Sequence, residues 1–231
     1  MLLFQQSLGE MPVIYSNINL FLKKYPDLKI NSSKTFIEGK VCLDMKYNDV
    51  YFCKEYKIII DISKKDIPYI KEIDGKIDCN YPHRYKDGGL CLATNSDIIL
   101  SCLNDDIFDI DCWFEKYVKS YFFTYEFYQR FGYYPFGERS HGAIGILEFY
   151  QDFFNVDSPV TAMKCLNFTI ASKYAGHLLC PCGSGKKIRN CHSKELYNAK
   201  NERIMKFIIQ DRLKILEEVK KINEYNKCRS K

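Results

Sequence analysis

Cys180 and Cys182 stand one residue apart, and Cys191 and His192 follow side by side, within the run LCPCGSGKKIRNCHS over residues 179–193. Three thiols and an imidazole form the soft S/N donor set that suits tetrahedral zinc. Four protein ligands leave no open position, so a zinc ion here is expected to be structural rather than catalytic. Pro181 and the Gly183-Ser184-Gly185 turn supply the tight bends that bring two ligand pairs onto one ion. Lys186, Lys187 and Arg189 offset the charge of bound thiolates. His177 lies just upstream as a competing imidazole, but the adjacency of Cys191 and His192 favours His192. The bland alternative is a loop of free thiols.

A second segment offers a nucleophile. Residues 81–92 read YPHRYKDGGLCL, and a cysteine in Gly-rich irregular chain is exposed more often than one on a strand. Leu90 and Leu92 can anchor the loop while the Cys91 thiol faces out. His83, Arg84 and Lys86 lie upstream and favour a thiolate. Tyr81, Asp87 and His141 are candidate neighbours. An inert thiol is the competing reading, because ten other cysteines dilute the signal. Residues 133–142, YYPFGERSHG, form a third constellation. There Ser140 is a candidate N-cap, Glu138 and Arg139 a candidate ion pair, and His141 a group that can reach Cys91 or simply cap a helix.

These residues need elements to hold them. Ile14, Ile18, Phe21 and Leu22 share a helical face in residues 13–26, which Tyr25-Pro26 closes. Thr35 to Met45 reads as a strand, Val50 to Cys53 as its short hairpin partner, and Tyr56 to Ile62 as a separate central strand. Asp66-Ile67-Pro68 breaks that pattern. Gly75, Pro82, Gly88 and Gly89 make residues 71–95 irregular. Aromatics from Trp113 to Phe131 recur at helical spacing, and a further helix spans about His141 to Phe154. This order gives an α+β domain with helices segregated from an antiparallel sheet. Residues 156–178 read as a connecting region. Glu195 to Tyr225 reads as one long helix with Ile204, Phe207, Ile208, Ile215, Leu216, Val219 and Ile222 as its apolar stripe.

Composition sets the context. The chain has 231 residues, 46% hydrophobic and 15% aromatic, enough for one globular domain and an appendage. Eleven cysteines and no basic, apolar leader in MLLFQQSLGEMPVIY point to a reducing cytoplasm. No stretch approaches the roughly 20 apolar residues of a membrane span. The net charge of +5 divides into −4 over residues 1–172 and +9 over residues 173–231. A basic module of that kind meets nucleic acid, ribosomes or an acidic protein, or is simply a solvated helix face. The acidic cluster Asp105, Asp106, Asp109 and Asp111 can likewise engage a basic partner or be plain surface.

CPCGSGKK followed by CH resembles the SEC-C motif, the zinc knuckle at the C-terminus of the bacterial secretion motor. That resemblance covers about fifteen residues, and it implies a structural zinc and a docking module. Residues 13–155, most clearly 56–95, resemble the bacterial branch of the ubiquitin-conjugating enzymes. In that family a His-Pro-Asn triplet precedes Cys-Leu, its first residue ten positions before the cysteine; Tyr81, Pro82 and Cys91 keep this spacing. Trp113 resembles the tryptophan that opens the next helix. His83 replaces the Asn, which in that family orders the loop or stabilises the oxyanion.

The resemblance implies a UBC-like fold over residues 1–155 and a connection at 156–178. The knuckle at 179–193 and a basic amphipathic helix at 194–231 follow. It implies a transferase that carries a ubiquitin-like or target protein C-terminus as a thioester on Cys91, with His83 as oxyanion donor or base. Its partners would be an activating enzyme and, in anti-phage systems of this branch, a nucleotide-second-messenger synthase. A non-catalytic adaptor on the same fold, or a nucleic-acid- or ribosome-associated zinc protein, are the alternatives.

Overall fold

The computed structural model describes residues 14–63, 66–104 and 106–229; the opening segment and Asp105 lie outside the described residues. The chain forms two compact units. One contains the described residues through Ala93 together with Ser101–Phe136, the other Thr94–Leu100 together with Gly137 onward. Residues 137–155, expected with the sheet, therefore belong to the second unit.

In the first unit, β1 (Ile14–Ser16) and α1 (Ile18–Lys24) precede a four-stranded antiparallel meander. Its strands are β2 (Leu28–Ile30), β3 (Phe36–Tyr47), β4 (Val50–Asp61) and β5 (Tyr69–Glu72), paired in chain order. Period-two alternation puts Ile37, Val41, Leu43 and Met45 of β3 inside, and Phe52, Tyr56, Ile58 and Ile60 of β4 beside them. The β3–β4 hairpin closes over Asn48 and Asp49, with Asn48 in the left-handed region at φ 50°. Val50–Cys53 and Tyr56–Ile62, expected as separate strands, merge into one continuous β4 that ends at Asp61. The β3 ladder runs unbroken past Lys54 and Glu55, so backbone pairing overrides the local break in hydrophobic alternation.

β6 (Leu103–Asn104) and β7 (Ile107–Asp109) form a small sheet with β1. A continuous helical stretch follows, built of α3 (Ile110–Trp113), a π-helical segment (Phe114–Val118) and α4 (Lys119–Phe131). It opens at Ile110 rather than at Trp113, because the Asp109 carboxylate accepts hydrogen bonds from the Asp111 and Cys112 amides. Asp109 is thus a cap. Asp111 pairs with Lys24 at 3.1 Å, so two of the four acidic residues have structural work. Phe122 stacks on Tyr56 with centroids 4.1 Å apart, and Phe123 meets Phe52 edge-on, which lays α4 against the sheet.

The second unit is helical. α2 (Asn95–Cys102) begins in it, and α5 (Gly142–Phe154), α6 (Pro159–Ala171), α7 (Ser193–Asn198) and α8 (Glu202–Arg229) complete it. The expected connecting region is mostly α6, with Pro159 at its first turn and Ala162, Cys165 and Leu166 buried against α5 and α8. The single long helix expected from Glu195 is two, because Asn201 accepts hydrogen bonds from the Arg203 and Ile204 amides and starts a new helix. Ile204, Phe207, Ile208 and Ile215 of the expected stripe are buried, while Leu216, Val219 and Ile222 are exposed.

Asp211 on α8 is buried, accepting from Ser96 at 2.5 Å and from the Tyr150 hydroxyl at 3.2 Å. Burial raises its carboxyl pKa, with Ser96, Lys214 and Tyr150 opposing. A raised folded-state pKa means the unfolded chain loses this proton first as pH rises. The group's contribution is therefore largest below about pH 4 and declines above it. Asp211→Ala is expected to cost about 1–3 kcal/mol in denaturant unfolding, by leaving the buried Ser96 hydroxyl without its acceptor and the Tyr150 hydroxyl with Ser96 alone. Asp211→Asn, which keeps an acceptor and cannot ionise, should cost less and flatten the pH dependence.

Candidate active loop and candidate metal centre

The segment carrying Cys91 is a small hairpin tied down on three sides. At its approach, buried Glu72 accepts hydrogen bonds from the Asp74, Lys76 and Ile77 amides at 2.9, 3.1 and 3.3 Å. The Tyr125 hydroxyl of α4 donates to the Lys76 carbonyl at 2.9 Å. The turn Tyr85-Lys86-Asp87-Gly88-Gly89 then reverses the chain, with Tyr85 N–H donating to the Gly89 carbonyl and Gly88 at φ 88°. Gly89 passes directly under Tyr69, where an added Cβ would lie 1.7 Å from the hydroxyl oxygen. The returning arm adds to β5 through the Leu90 amide and the Ile70 carbonyl, 3.0 Å apart. Leu90 is buried, as expected of an anchor.

This folding sets Cys91 opposite His83. The Cys91 amide donates to the His83 carbonyl at 2.8 Å, and the same carbonyl accepts from the Tyr121 hydroxyl at 3.1 Å. The His83 ring sits between Tyr81 and Tyr134, edge-to-face with each at 5.5 Å. Tyr81 is buried against Tyr121 and Tyr125, so it roots the loop in α4. The Cys91 thiol is half-buried, and its sulfur accepts a hydrogen bond from the Tyr85 hydroxyl at 3.2 Å. Burial, then the Cys91 sulfur, raise the pKa of that phenol, so it remains a donor.

Asp87 points elsewhere. It accepts from the Tyr69 hydroxyl at 2.8 Å and the Gly89 amide at 3.1 Å, and pairs with Lys71. These contacts, Tyr69 foremost, hold its carboxyl down to about 2 and make it a brace of the turn. His141 belongs to the second unit, where it is the N-cap of α5, exposed, with Nε2 3.5 Å from Glu138. Ser140, expected as that cap, instead donates through its hydroxyl to Glu148 at 2.7 Å. Arg139, expected to pair with Glu138, bonds Asp152 at 2.5 Å.

The second unit holds the metal-type cluster. Leu179 and Lys187 bridge two short arms, the Cys180 amide donates to the Lys186 carbonyl, and Gly183 and Gly185 turn at φ 84° and 73°. One 3-10 turn, Ile188–Asn190, then delivers Cys191 and His192. The four donor atoms all lie within 4.8 Å of one another. Cys182 and Cys191 sulfurs are 3.6 Å apart, and His192 Nδ1 is 3.2 Å from both Cys180 and Cys191 sulfurs. A tetrahedral zinc shell requires about 3.8 Å between sulfurs and about 3.5 Å from sulfur to nitrogen, so this donor set fits one. His192 Nε2 is 2.6 Å from the Phe154 carbonyl, which fixes the tautomer with Nδ1 free to ligate.

The thiols of the cluster differ in their electrostatics. Burial pushes Cys180 up to about 12, whereas at Cys182 the same effect is outweighed by hydrogen bonds from Ser184, bringing it down to about 6. Three thiolates cannot coexist there without a positive charge. His177 is exposed and outside the cluster, so His192 is the imidazole of the set.

Sequence reasoning missed Tyr85, Cys165 and the Phe154 carbonyl. Tyr85 had a signal, since a Lys-Asp-Gly-Gly turn brings its two flanks together. Cys165 had none. It lies buried beside Cys180, Cys182 and Cys191, and burial followed by those neighbours raises its thiol pKa, but it is not one of the four residues whose donor atoms all lie within 4.8 Å of one another. Among the described residues no helix is long and apolar enough to cross a membrane. No protein-family model matches the chain, and neither a curated protein nor a solved structure does.

Proposed function

We propose that the protein is a transferase of the ubiquitin-conjugating type. Cys91 accepts the C-terminus of a ubiquitin-like or target protein as a thioester and passes the acyl group to an amine. The carrying observation is the placement of a half-exposed thiol, with a phenol donor on its sulfur, on a hairpin braced by β5 and α4. Support also comes from the order of α1, the four-stranded antiparallel meander, the Cys91 loop and the helical stretch after it. That order agrees with a UBC-like fold. A thiolate suits the role because its thioester stays reactive toward amines.

The Cys180, Cys182, Cys191 and His192 cluster is, in this reading, a structural zinc site that stiffens a basic docking module. The zinc would supply charge neutralisation and cross-linking, with no part in the acyl step. The experiment combines the chain with an activating enzyme, ATP and a ubiquitin-like donor. A thiol-labile adduct mapping to Cys91 supports transfer, and its absence favours the adaptor reading. The adaptor has its own support in Leu178 and Leu179, exposed apolar side chains beside Lys186 and Lys187 at the knuckle.

Tyr85→Phe is expected to leave adduct formation possible but to slow it about 10- to 100-fold. That range is the worth of one hydrogen bond to a charged sulfur or oxygen. Single-turnover rates of adduct formation would measure it, and an unchanged rate would make Tyr85 a spectator.

A further inference from the structure

The outer face of the β3–β4 ladder carries a pair of thiols that the chemistry at Cys91 does not use. Cys42 and Cys53 are both exposed, with sulfurs 3.7 Å apart. The register sets Cys42 opposite Glu55 and Cys53 opposite Asp44, so the two thiols meet on the diagonal of neighbouring pairs on one face. Cys53 also borders an open cleft of about 410 Å³ with Tyr51, Phe52, Lys54, Glu126, Gln129 and Arg130. Lys54 is paired with Glu126 at 3.3 Å, so the positive charge left beside the cleft is that of Arg130.

We propose that Cys42 and Cys53 are a redox-active dithiol that exchanges with small carboxylate-bearing disulfides of the glutathione class and closes to a cross-strand disulfide. The Cys42 thiolate attacks one sulfur of the small disulfide, whose S–S bond breaks, and the first small thiolate leaves and takes a proton from water. Cys53 then loses its proton to solvent and attacks the Cys42 sulfur of the mixed disulfide, expelling the second small thiol. Two protein thiols are oxidised and one small disulfide is reduced to two thiols. Closure brings the sulfurs from 3.7 Å to the about 2.05 Å of a disulfide.

The order of attack follows from Asp44. Its carboxylate accepts from the Tyr51 hydroxyl at 2.6 Å and from Cys53, and this contact, with Cys42 second, pushes the Cys53 thiol up to about 11. A thiol held protonated is the slower first attacker. A second pair, Cys102 and Cys112, also has sulfurs 3.7 Å apart, but Cys102 is buried.

The test treats the full-length, zinc-loaded chain with oxidised glutathione, alkylates the remaining thiols and maps the peptides. The expected product is a Cys42–Cys53 link in the wild type and a glutathione adduct on Cys42 in Cys53→Ser. Cys42→Ser should react at Cys53 about tenfold more slowly, because raised pKa lowers the thiolate fraction more than it raises nucleophilicity. Both positions are exposed, so neither variant threatens folding. A link formed only at Cys102–Cys112, or a Cys53→Ser protein whose Cys42 stays unmodified, would overturn the proposal.

Discussion

Joint replacement of Cys180 and Cys182 by alanine is expected to abolish zinc binding, which in the wild type should be about one ion per chain. Structural zinc in small knuckles carries apparent binding energies of about 10–16 kcal/mol near neutral pH, far more than so short a segment gains from burial. Apolar packing in the knuckle itself is limited to Ile188, while Leu178 and Leu179 are exposed. Loss of the ion should therefore unravel residues 178–192. Hydrogen exchange would read this as fast exchange at the Cys180, Ile188 and Cys191 amides, with protection kept along the β3–β4 ladder. His177→Ala should retain the metal, because that imidazole lies outside the cluster. Undiminished zinc in the double variant would refute the site.

The second large effect is at Cys91. Cys91→Ala should remove the thiol-labile adduct, with the rate of transfer falling by about 10³ or more, as losing a nucleophile does. The loop should persist, since beyond the Tyr85 contact to the sulfur its tie at Cys91 runs through the backbone amide to the His83 carbonyl. Stability should stay within about 0.5 kcal/mol of the wild type. Cys91→Ser should instead trap an oxygen ester that resists thiols, since an alkoxide leaves far less readily than a thiolate. An adduct that persists in Cys91→Ala would remove Cys91 from the mechanism. His83 separates the remaining roles. His83→Asn, which keeps a donor but no base, should retain activity if the ring donates a hydrogen bond and lose it if the ring takes a proton.

Several features were legible in the residues because they depend on local spacing. The CxC and CH pairs identify their cluster, since donors so close in sequence stay close in space, and the intervening glycines permit the turn that brings the two pairs together. The strand alternation in β3 and the aromatic spacing of α4 reported which face would be buried. Less was legible where the backbone had a choice. The merging of two expected strands into β4 depended on a continuous partner in β3. The splitting of the last helix depended on the Asn201 side chain finding two amides, and Ser140 lost the cap to His141 because Glu148, a turn and more away, claimed its hydroxyl.

Sequence alone therefore determined which residues carry metal-ligand and thiol donors at close spacing, the mixed α+β class, and the basic character of the C-terminal part. Those properties are carried by side-chain type and short-range periodicity. Tertiary structure alone decided what each group faces. Asp87 is spent on Tyr69 and Lys71, Tyr85 is the group on the Cys91 sulfur, and Cys165 lies beneath the knuckle yet outside its ligand set. Cys42 and Cys53, separated by eleven positions, become neighbours only because a hairpin register aligns them. Distances of a few ångströms between residues far apart in the chain are set by the whole pattern of burial and backbone pairing, and no local window of sequence contains that information.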